Sequence, residues 1–220
     1  MITDYEKTLI INATKDTIYL LLVSGLFLIV IGLILGILLF ITRSDNYETP
    51  NKLVKTIHFI LGGFIDITRS IPFIILMITI IPLTIIITGT MLGANAALPA
   101  LVISASPFYG RIVYNSLREI DRGKIEALKS LGANKFTIIK YLIKEALHSL
   151  ISGLSVTLVS LVGFIAAAGA VGAGGLGDLA RRRALALDYK LVYISVGILL
   201  LIVLIIQITG DFITKKIDKR

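Results

Sequence analysis

The sequence predicts an all-α membrane protein with five membrane-spanning helices and a charged cytoplasmic loop that contains a short amphipathic helix. Hydrophobic residues make up 56% of the 220-residue chain and charged residues only 16%, with a mean hydropathy of +0.92. A soluble domain carries roughly a quarter charged residues. The apolar residues also form long uncharged blocks, each of which reaches or exceeds the ~20 residues that a helix needs to cross the bilayer core.

The five spans follow from these blocks in chain order. The first covers residues 17–41 and follows sixteen residues of mixed charge, so we expect it to be retained rather than cleaved as a signal. The second must begin near residue 57 and end near residue 87, because the uncharged block after Arg69 is barely long enough for two crossings. The other predicted spans are residues 96–113, 147–171 and 191–212.

Lysine and arginine counts orient the spans. With the N-terminus outside, the inner loops and tail carry fifteen basic residues and the outer segments six. The positive-inside rule therefore places residues 1–16 outside and residues 213–220 in the cytoplasm. The three consecutive arginines at residues 181–183 oppose the rule locally, and their role stays open at this point.

Composition also limits the kinds of site. The absence of Cys excludes disulfides, thiolate metal sites and thiol catalysis. The net charge of +8 lies mostly in loops between spans, as membrane topology alone produces, so nucleic-acid binding is not predicted. His58 and His148 stand alone, so no metal site is predicted. No hydrolase arrangement is readable, and the chain is predicted to be non-catalytic.

The most informative segment is the charged loop of residues 114–145. Within it, Ile125, Leu128 and Leu131 recur every three residues and predict one apolar stripe on a short amphipathic helix. Gly132 follows, where a helix commonly ends in the left-handed conformation. Periodicity alone equally allows a helix lying on the lipid surface, and that alternative stays open.

Residues 126–132 read E-A-L-K-S-L-G and resemble the E-A-A-x-x-x-G loop of ABC importer permeases. In that family the loop forms a coupling helix that docks in a groove of the ATP-hydrolysing subunit. The resemblance therefore implies the ATPase-coupling residues Glu126, Ala127, Leu128, Leu131 and Gly132. The chain departs from the pattern at Leu128, which replaces an alanine, and further downstream, where the usual proline is missing.

Three other segments resemble the methionine importer permeases: R-S-I-P-F-I-I-L at residues 69–76, G-A-V-G-A-G-G-L-G at 169–177 and I-Q-I-T-G-D at 206–211. That family implies a homodimer in the bacterial inner membrane, with two ATP-binding cassette subunits and a methionine-binding lipoprotein. It also implies that ATP–Mg is bound by the partner and no cofactor by this chain, which has no G-x-x-x-x-G-K-[ST] motif. The alternatives are a permease for another small solute and a secondary carrier that needs no ATPase.

Residues within the spans supply the remaining candidates. Asp66 and Arg69 lie three apart on one helix face and are predicted to form a structural ion pair rather than a substrate site. Pro72 is expected to kink the second span. Residues 163–177 are mostly Gly and Ala, which allows close helix packing within one subunit, at a dimer interface or along a translocation path. The candidates for the interface or path are Gly163, Gly169, Gly172 and Pro72.

Overall fold

The protein is described by a computed structural model that covers residues 3–43 and 51–217. Within these ranges the chain forms helices and no strands, which confirms the all-α prediction. Residues 1–2, 44–50 and 218–220, predicted to belong to the outer terminus, the first inner loop and the tail, lie outside the described residues. The helices are α1 (Asp4–Ile41), α2 (Lys52–Ser70), α3 (Phe73–Thr79), α4 (Ile81–Thr88), α5 (Ala94–Arg118), α6 (Arg122–Ser130), α7 (Lys135–Glu145), α8 (Leu147–Gly169), α9 (Gly175–Leu185) and α10 (Tyr189–Ile217).

Four of the described helices are individually long and apolar enough to cross a membrane: α1, α5, α8 and α10. A fifth crossing is possible where α2 and α3 together pass the same test, but the two helices are bent by 109° relative to each other. The chain is therefore a polytopic membrane protein whose described residues contain four unbroken candidate spans and one bent helix pair, which is either a broken span or a re-entrant loop.

The second span is the main correction to the prediction, which treated residues 57–87 as one kinked helix. Helix α2 ends at Ser70, and the backbone of Ile71 is extended, with ψ 126°. A residue before proline is pushed out of the helical region by the proline ring, and Pro72 also has no N–H to continue the helix. By contrast, Pro82 lies in the first turn of α4, where a proline is tolerated.

Two other helices differ from expectation. Helix α1 begins at Asp4 rather than near residue 17, because Thr3 and Glu6 form a capping box at its start. Helix α9, which carries the three consecutive arginines, was not predicted at all. Because α10 continues to Ile217, the predicted tail from residue 213 is helical as far as it is described.

The core is built on the pair α1 and α5, which make the most extensive helix–helix contact. Gly32 and Gly36 of α1 form a G-x-x-x-G pattern that lets the two backbones approach closely. A Cβ atom added at Gly36 would lie 2.6 Å from the carbonyl oxygen of Gly110 on α5, and one at Gly32 would lie 2.8 Å from Tyr109 Cδ1. These glycines therefore fix the spacing of the first and third predicted spans.

Candidate functional site

The charged loop folds into an elbow of two short helices, α6 and α7, which we call the coupling elbow (residues 121–146). Helix α6 starts at Asp121, whose side chain accepts a hydrogen bond from Gly123 N at 2.7 Å. The helix ends at Ser130, and Gly132 just beyond it has φ +76°, which confirms the predicted left-handed position. Gly132 N donates to Lys129 O at 2.9 Å and Ala133 N to Leu128 O at 3.0 Å. This pair of bonds is a Schellman motif, which satisfies the last carbonyls of α6.

Helix α7 begins at Lys135, three residues after that glycine. The side chain of Asn134 accepts a hydrogen bond from Thr137 N at 2.8 Å and so caps the helix. At its other end, Ala146 keeps a helical backbone between α7 and α8, and Leu150 N donates to its carbonyl oxygen. The second helix of the elbow therefore forms without the proline of the family pattern and leads directly into the span α8.

The predicted apolar stripe of α6 does not lie on one face. Ile125 packs inward against the main core, whereas the side chain of Leu131 is 83% exposed. Each residue of an α-helix turns about 100°, so two positions six apart differ by about 120° around the axis. Leu131 moreover follows the last helical residue. The prediction was therefore wrong about a single stripe, and the inner and outer faces of the elbow carry different apolar residues.

The inner face covers an apolar groove that reaches the end of α1. Its lining residues are Phe40, Ile41, Ile125, Lys129, Lys135, Ile138, Ile139 and Leu142. The outer face is apolar at Leu131 and at Phe136, which is 75% exposed, and Glu126 and Ala127 are exposed beside them. The elbow is thus anchored to the membrane domain on one side and offers two large apolar side chains on the other.

An ion pair that the sequence analysis missed closes the elbow. Lys124 Nζ lies 2.5 Å from Glu145 Oε1, which links the first turn of α6 to the last turn of α7. The hydrogen bond to Glu145 raises the pKa of the Lys124 ammonium above its usual value. The two residues are 21 positions apart, so helical periodicity gave no signal for them.

The small-residue segment packs mainly within the subunit. A Cβ atom at Gly169 would collide with the backbone nitrogen of Asp178 and lie 2.7 Å from the carbonyl carbon of Gly177, so α8 and α9 touch backbone to backbone. Gly172 has φ +93°, and its carbonyl accepts a hydrogen bond from Gly93 N at 2.8 Å. Gly163 differs, since it is exposed and a Cβ atom there would meet nothing within 4 Å. Of these three glycines, Gly163 alone has a face free for an interface or path.

The predicted ion pair of Asp66 with Arg69 is wrong. Asp66 Oδ1 lies 3.8 Å from Arg111 Nη1 on α5, and the guanidinium of Arg69 lies 5.3 Å from the ring centroid of Phe108. Because Phe108 and Arg111 are themselves three apart, two side chains of α2 face two side chains of α5. Intrahelical spacing alone did not reveal these partners.

Pro72, the other path candidate, is exposed at the break of the second span. The next residue, Phe73, is buried and stacks on Phe164 of α8, with ring centroids 4.9 Å apart and an interplanar angle of 12°. The break therefore holds α3 against the small-residue span while α2 turns away from it.

The consecutive arginines are accounted for by acidic partners. Asp178, in the first turn of α9, is buried, and its carboxylate binds Arg181 at 3.1 Å and also Arg182. Arg183 lies 3.6 Å from Asp188. Burial acts to raise the pKa of Asp178, but the two guanidiniums outweigh it and hold the pKa below its usual value. The spacing D-L-A-R-R could have revealed this local pairing.

Comparison with known proteins gives consistent matches. Residues 29–220 match the family described as binding-protein-dependent transport system inner membrane component. The methionine import system permease protein of Bacillus subtilis is 48% identical over 211 residues, which cover 95% of this chain and 93% of that protein. The probable D-methionine transport system permease protein of Haemophilus influenzae is 40% identical, with 95% and 97% covered.

A solved structure matches equally well. An inward-facing conformation of the MetNI methionine ABC transporter contains a chain that superimposes with a TM-score of 0.91 at 35% identity. The match covers 99% of this chain and 100% of that chain. The similarity therefore extends over the spans, the coupling elbow and α9 alike.

Proposed function

Because the chain belongs to the family of binding-protein-dependent transport system inner membrane components, we propose that it is the permease subunit of an ATP-driven importer that carries methionine into the cell. The family confirms the resemblance seen in the sequence and places the chain in the inner membrane. Methionine is the solute named for the relatives that align over nearly all of their length.

The coupling elbow is the observation that supports an ATPase partner. Ile125 packs against the core of the membrane domain, and the Lys124–Glu145 ion pair joins the two helices of the elbow. Leu131 and Phe136 nevertheless remain exposed. Large apolar side chains on a charged surface indicate a protein contact. We propose that an ATP-binding cassette subunit covers them and holds the ATP–Mg, and that Glu126, Ala127, Leu128 and Gly132 belong to the same docking surface.

The elbow is also connected to the membrane spans, so that a displacement of the elbow can be transmitted to them. Its inner face packs on the end of α1, and α7 continues through Ala146 into α8 with only one residue between them. A displacement of α6 by the ATPase therefore reaches two spans at once, and alternation between inward-open and outward-open states follows from it. The energy comes from the partner, and the chain itself performs no hydrolysis.

The assembly that we propose contains two copies of this chain, two ATPase subunits and a methionine-binding lipoprotein. Large apolar side chains of α1 and α10 are exposed in the single subunit, which leaves them for lipid or for a second copy. The charge distribution supports an N-terminus outside and a C-terminus inside. In that orientation α9 with its arginines faces the outside, where the lipoprotein would deliver the solute.

The test is uptake of labelled L- and D-methionine into proteoliposomes that contain the assembled complex, the binding protein and internal ATP. We expect ATP-dependent uptake by the complex and none by the permease alone. Gradient-driven flux through the permease alone would contradict the ATPase-coupled function. Uptake of another amino acid but not methionine would contradict the solute assignment and leave the importer function standing.

A further inference from the structure

Three charged side chains meet where α2 crosses α5, on a surface that the proposed coupling does not use. Asp66 contacts Arg111 across the two helices, and Arg69 lies over the ring of Phe108. All three charged side chains remain accessible in the single subunit: the side chain of Asp66 is 56% exposed, that of Arg111 is 32% exposed, and Arg69 is also exposed. We call this group the α2–α5 charge cluster (Asp66, Arg69 and Arg111).

The cluster lies within the second and third predicted spans, residues 57–87 and 96–113. Helix α5 has 25 residues and is therefore about 37 Å long, against about 30 Å of hydrocarbon. Arg111 stands seven residues before the helix end at Arg118, or about 10 Å along the axis. Arg69, beside Phe108, lies about one turn deeper.

Charged side chains within a membrane span rarely face lipid. Ionisable residues within spans point to a bundle interior or to a water-filled cavity, because hydrocarbon solvates them poorly. The cluster is not in the bundle interior, since Asp66 and Arg69 are exposed and Arg111 is half-buried in the single subunit. Water or another protein surface must therefore cover it.

The broken backbone beside the cluster indicates water. Helix α2 ends at Ser70, next to Arg69, and Pro72 has no N–H to donate to the carbonyl oxygen of Thr68. Non-helical backbone at membrane depth is tolerated where it is buried in protein or lines a water-filled cavity. Because Ser70 and Pro72 are exposed, this end of α2 fits the second case.

We propose that the α2–α5 charge cluster lines the aqueous path and contacts the zwitterionic head group of an amino acid as it passes. An amino acid carries one carboxylate and one ammonium, and the cluster offers guanidiniums for the first and the Asp66 carboxylate for the second. Arg69 is the residue that meets the solute carboxylate, because among the described residues its guanidinium has an aromatic ring rather than a carboxylate beside it. This inference relies on the proposed function for the class of solute.

The water-filled path has a test that does not depend on the solute. The chain contains no cysteine, so single-cysteine variants are labelled without background. Ser70→Cys is the reporter beside the cluster, and Leu201→Cys on the exposed apolar face of α10 is the control for a position that lipid or a second copy covers. In inside-out vesicles holding the assembled complex, a membrane-impermeant thiosulfonate reagent should label S70C and leave L201C unlabelled.

Two results would overturn the path. If S70C stays as unreactive as L201C, the end of α2 does not face water. If S70C instead forms a disulfide between two copies of the chain, the cluster is covered by the partner subunit.

Contact with the solute is tested by substitutions that remove the charge of Arg69 and by the protection that methionine gives S70C against labelling. We expect Arg69→Gln to lower methionine uptake about tenfold, as for loss of one charge-assisted hydrogen bond, and Arg69→Lys to recover part of it. Arg118→Gln is the matched control, since this arginine also lies near an aromatic ring but at the cytoplasmic end of α5. Free methionine should slow the labelling of S70C. Normal uptake by R69Q, or labelling that methionine does not change, would contradict the contact with solute.

The two proposals fail separately. A wild-type complex that imports no methionine would contradict the proposed solute, while labelling of S70C would still establish the aqueous path. A wild-type complex that imports methionine normally, with S70C unlabelled, would contradict only the present inference.

Discussion

Two short segments between spans, the coupling elbow and helix α9, have similar residue types but differ in which of their side chains are exposed and which are paired. Both carry clustered basic residues, and both have positive-φ glycines at a helix boundary. The elbow leaves Leu131 and Phe136 exposed, whereas α9 buries Asp178 and binds it to Arg181 and Arg182. Apolar side chains that stay exposed within the subunit indicate a surface that a partner covers. Charged side chains that pair within the subunit indicate a segment that stabilises the subunit itself.

The largest loss of stability is expected from a substitution at the contact between α8 and α9. Gly169→Val would place side-chain atoms in the backbone of α9, which cannot move aside as a side chain can. We expect a loss of about 3 kcal/mol or more in the free energy of unfolding. The measurement is the melting temperature of the detergent-solubilised protein.

Gly163→Val is the matched control, on the same helix but with open space at the Cβ position. We expect its melting temperature to be close to that of the wild type. Loss of uptake by this stable variant would support the predicted role of Gly163 in the dimer interface or path. Equal stability losses in both variants would contradict the backbone contact as the cause.

A substitution on the outer face of the elbow should lower the affinity for the ATPase partner and leave the stability of the subunit nearly unchanged. Leu131→Asp places a charge on an 83% exposed position, so the melting temperature of the isolated subunit should change little. Affinity for the ATPase subunits should fall by about 2 kcal/mol, as for an apolar residue at the centre of an interface. Co-purification with the ATPase measures it, and undiminished binding by L131D would remove Leu131 from the docking surface.

A somewhat smaller effect is expected from the glycine that shapes the elbow. Gly132→Val forces a β-branched residue to φ +76°, at a cost of about 1–2 kcal/mol, although the site has room for the side chain. Gly132→Asn is the control, because asparagine tolerates this conformation. We expect G132V, and likewise Glu126→Lys, to lower ATP-dependent uptake without affecting membrane insertion. Normal assembly and uptake in both variants would contradict the coupling role.

The sequence predicted what depends on local pattern. The four long helices coincide with apolar blocks, although α1 starts well before residue 17 and both α5 and α10 continue past residues 113 and 212. Gly132 was assigned correctly because a left-handed helix end is a local property. The break at Pro72 was predicted only as a kink, because the cost of a proline depends on what surrounds it.

Contacts between distant residues could not be read in the same way. Asp66 pairs with Arg111 and Lys124 with Glu145, and both pairs join helices whose relative placement the sequence does not specify. The G-x-x-x-G pattern at Gly32 and Gly36 was readable but ambiguous, since many apolar helices contain such spacings. Helix α9 was missed because its polar, arginine-rich sequence resembles a loop until its acidic partners are known.

The smallest expected effect is a difference in pH response between the two segments. Asp178 has a folded pKa below its ordinary 3.8, so the cluster of α9 stabilises the protein above that pH and loses the contribution as the pH falls below it. Lys124 has a folded pKa above its ordinary 10.5, so its contribution is present at lower pH and is lost only above that value. Lowering the pH below 3.8 should therefore weaken the Asp178 cluster and loosen α9. Melting temperatures of the wild type and of Asp178→Asn, followed from pH 7 to pH 3, test this, because D178N should lack the part of the acid-induced fall that comes from α9. Parallel curves for the two proteins would show that the Asp178 cluster does not stabilise the fold.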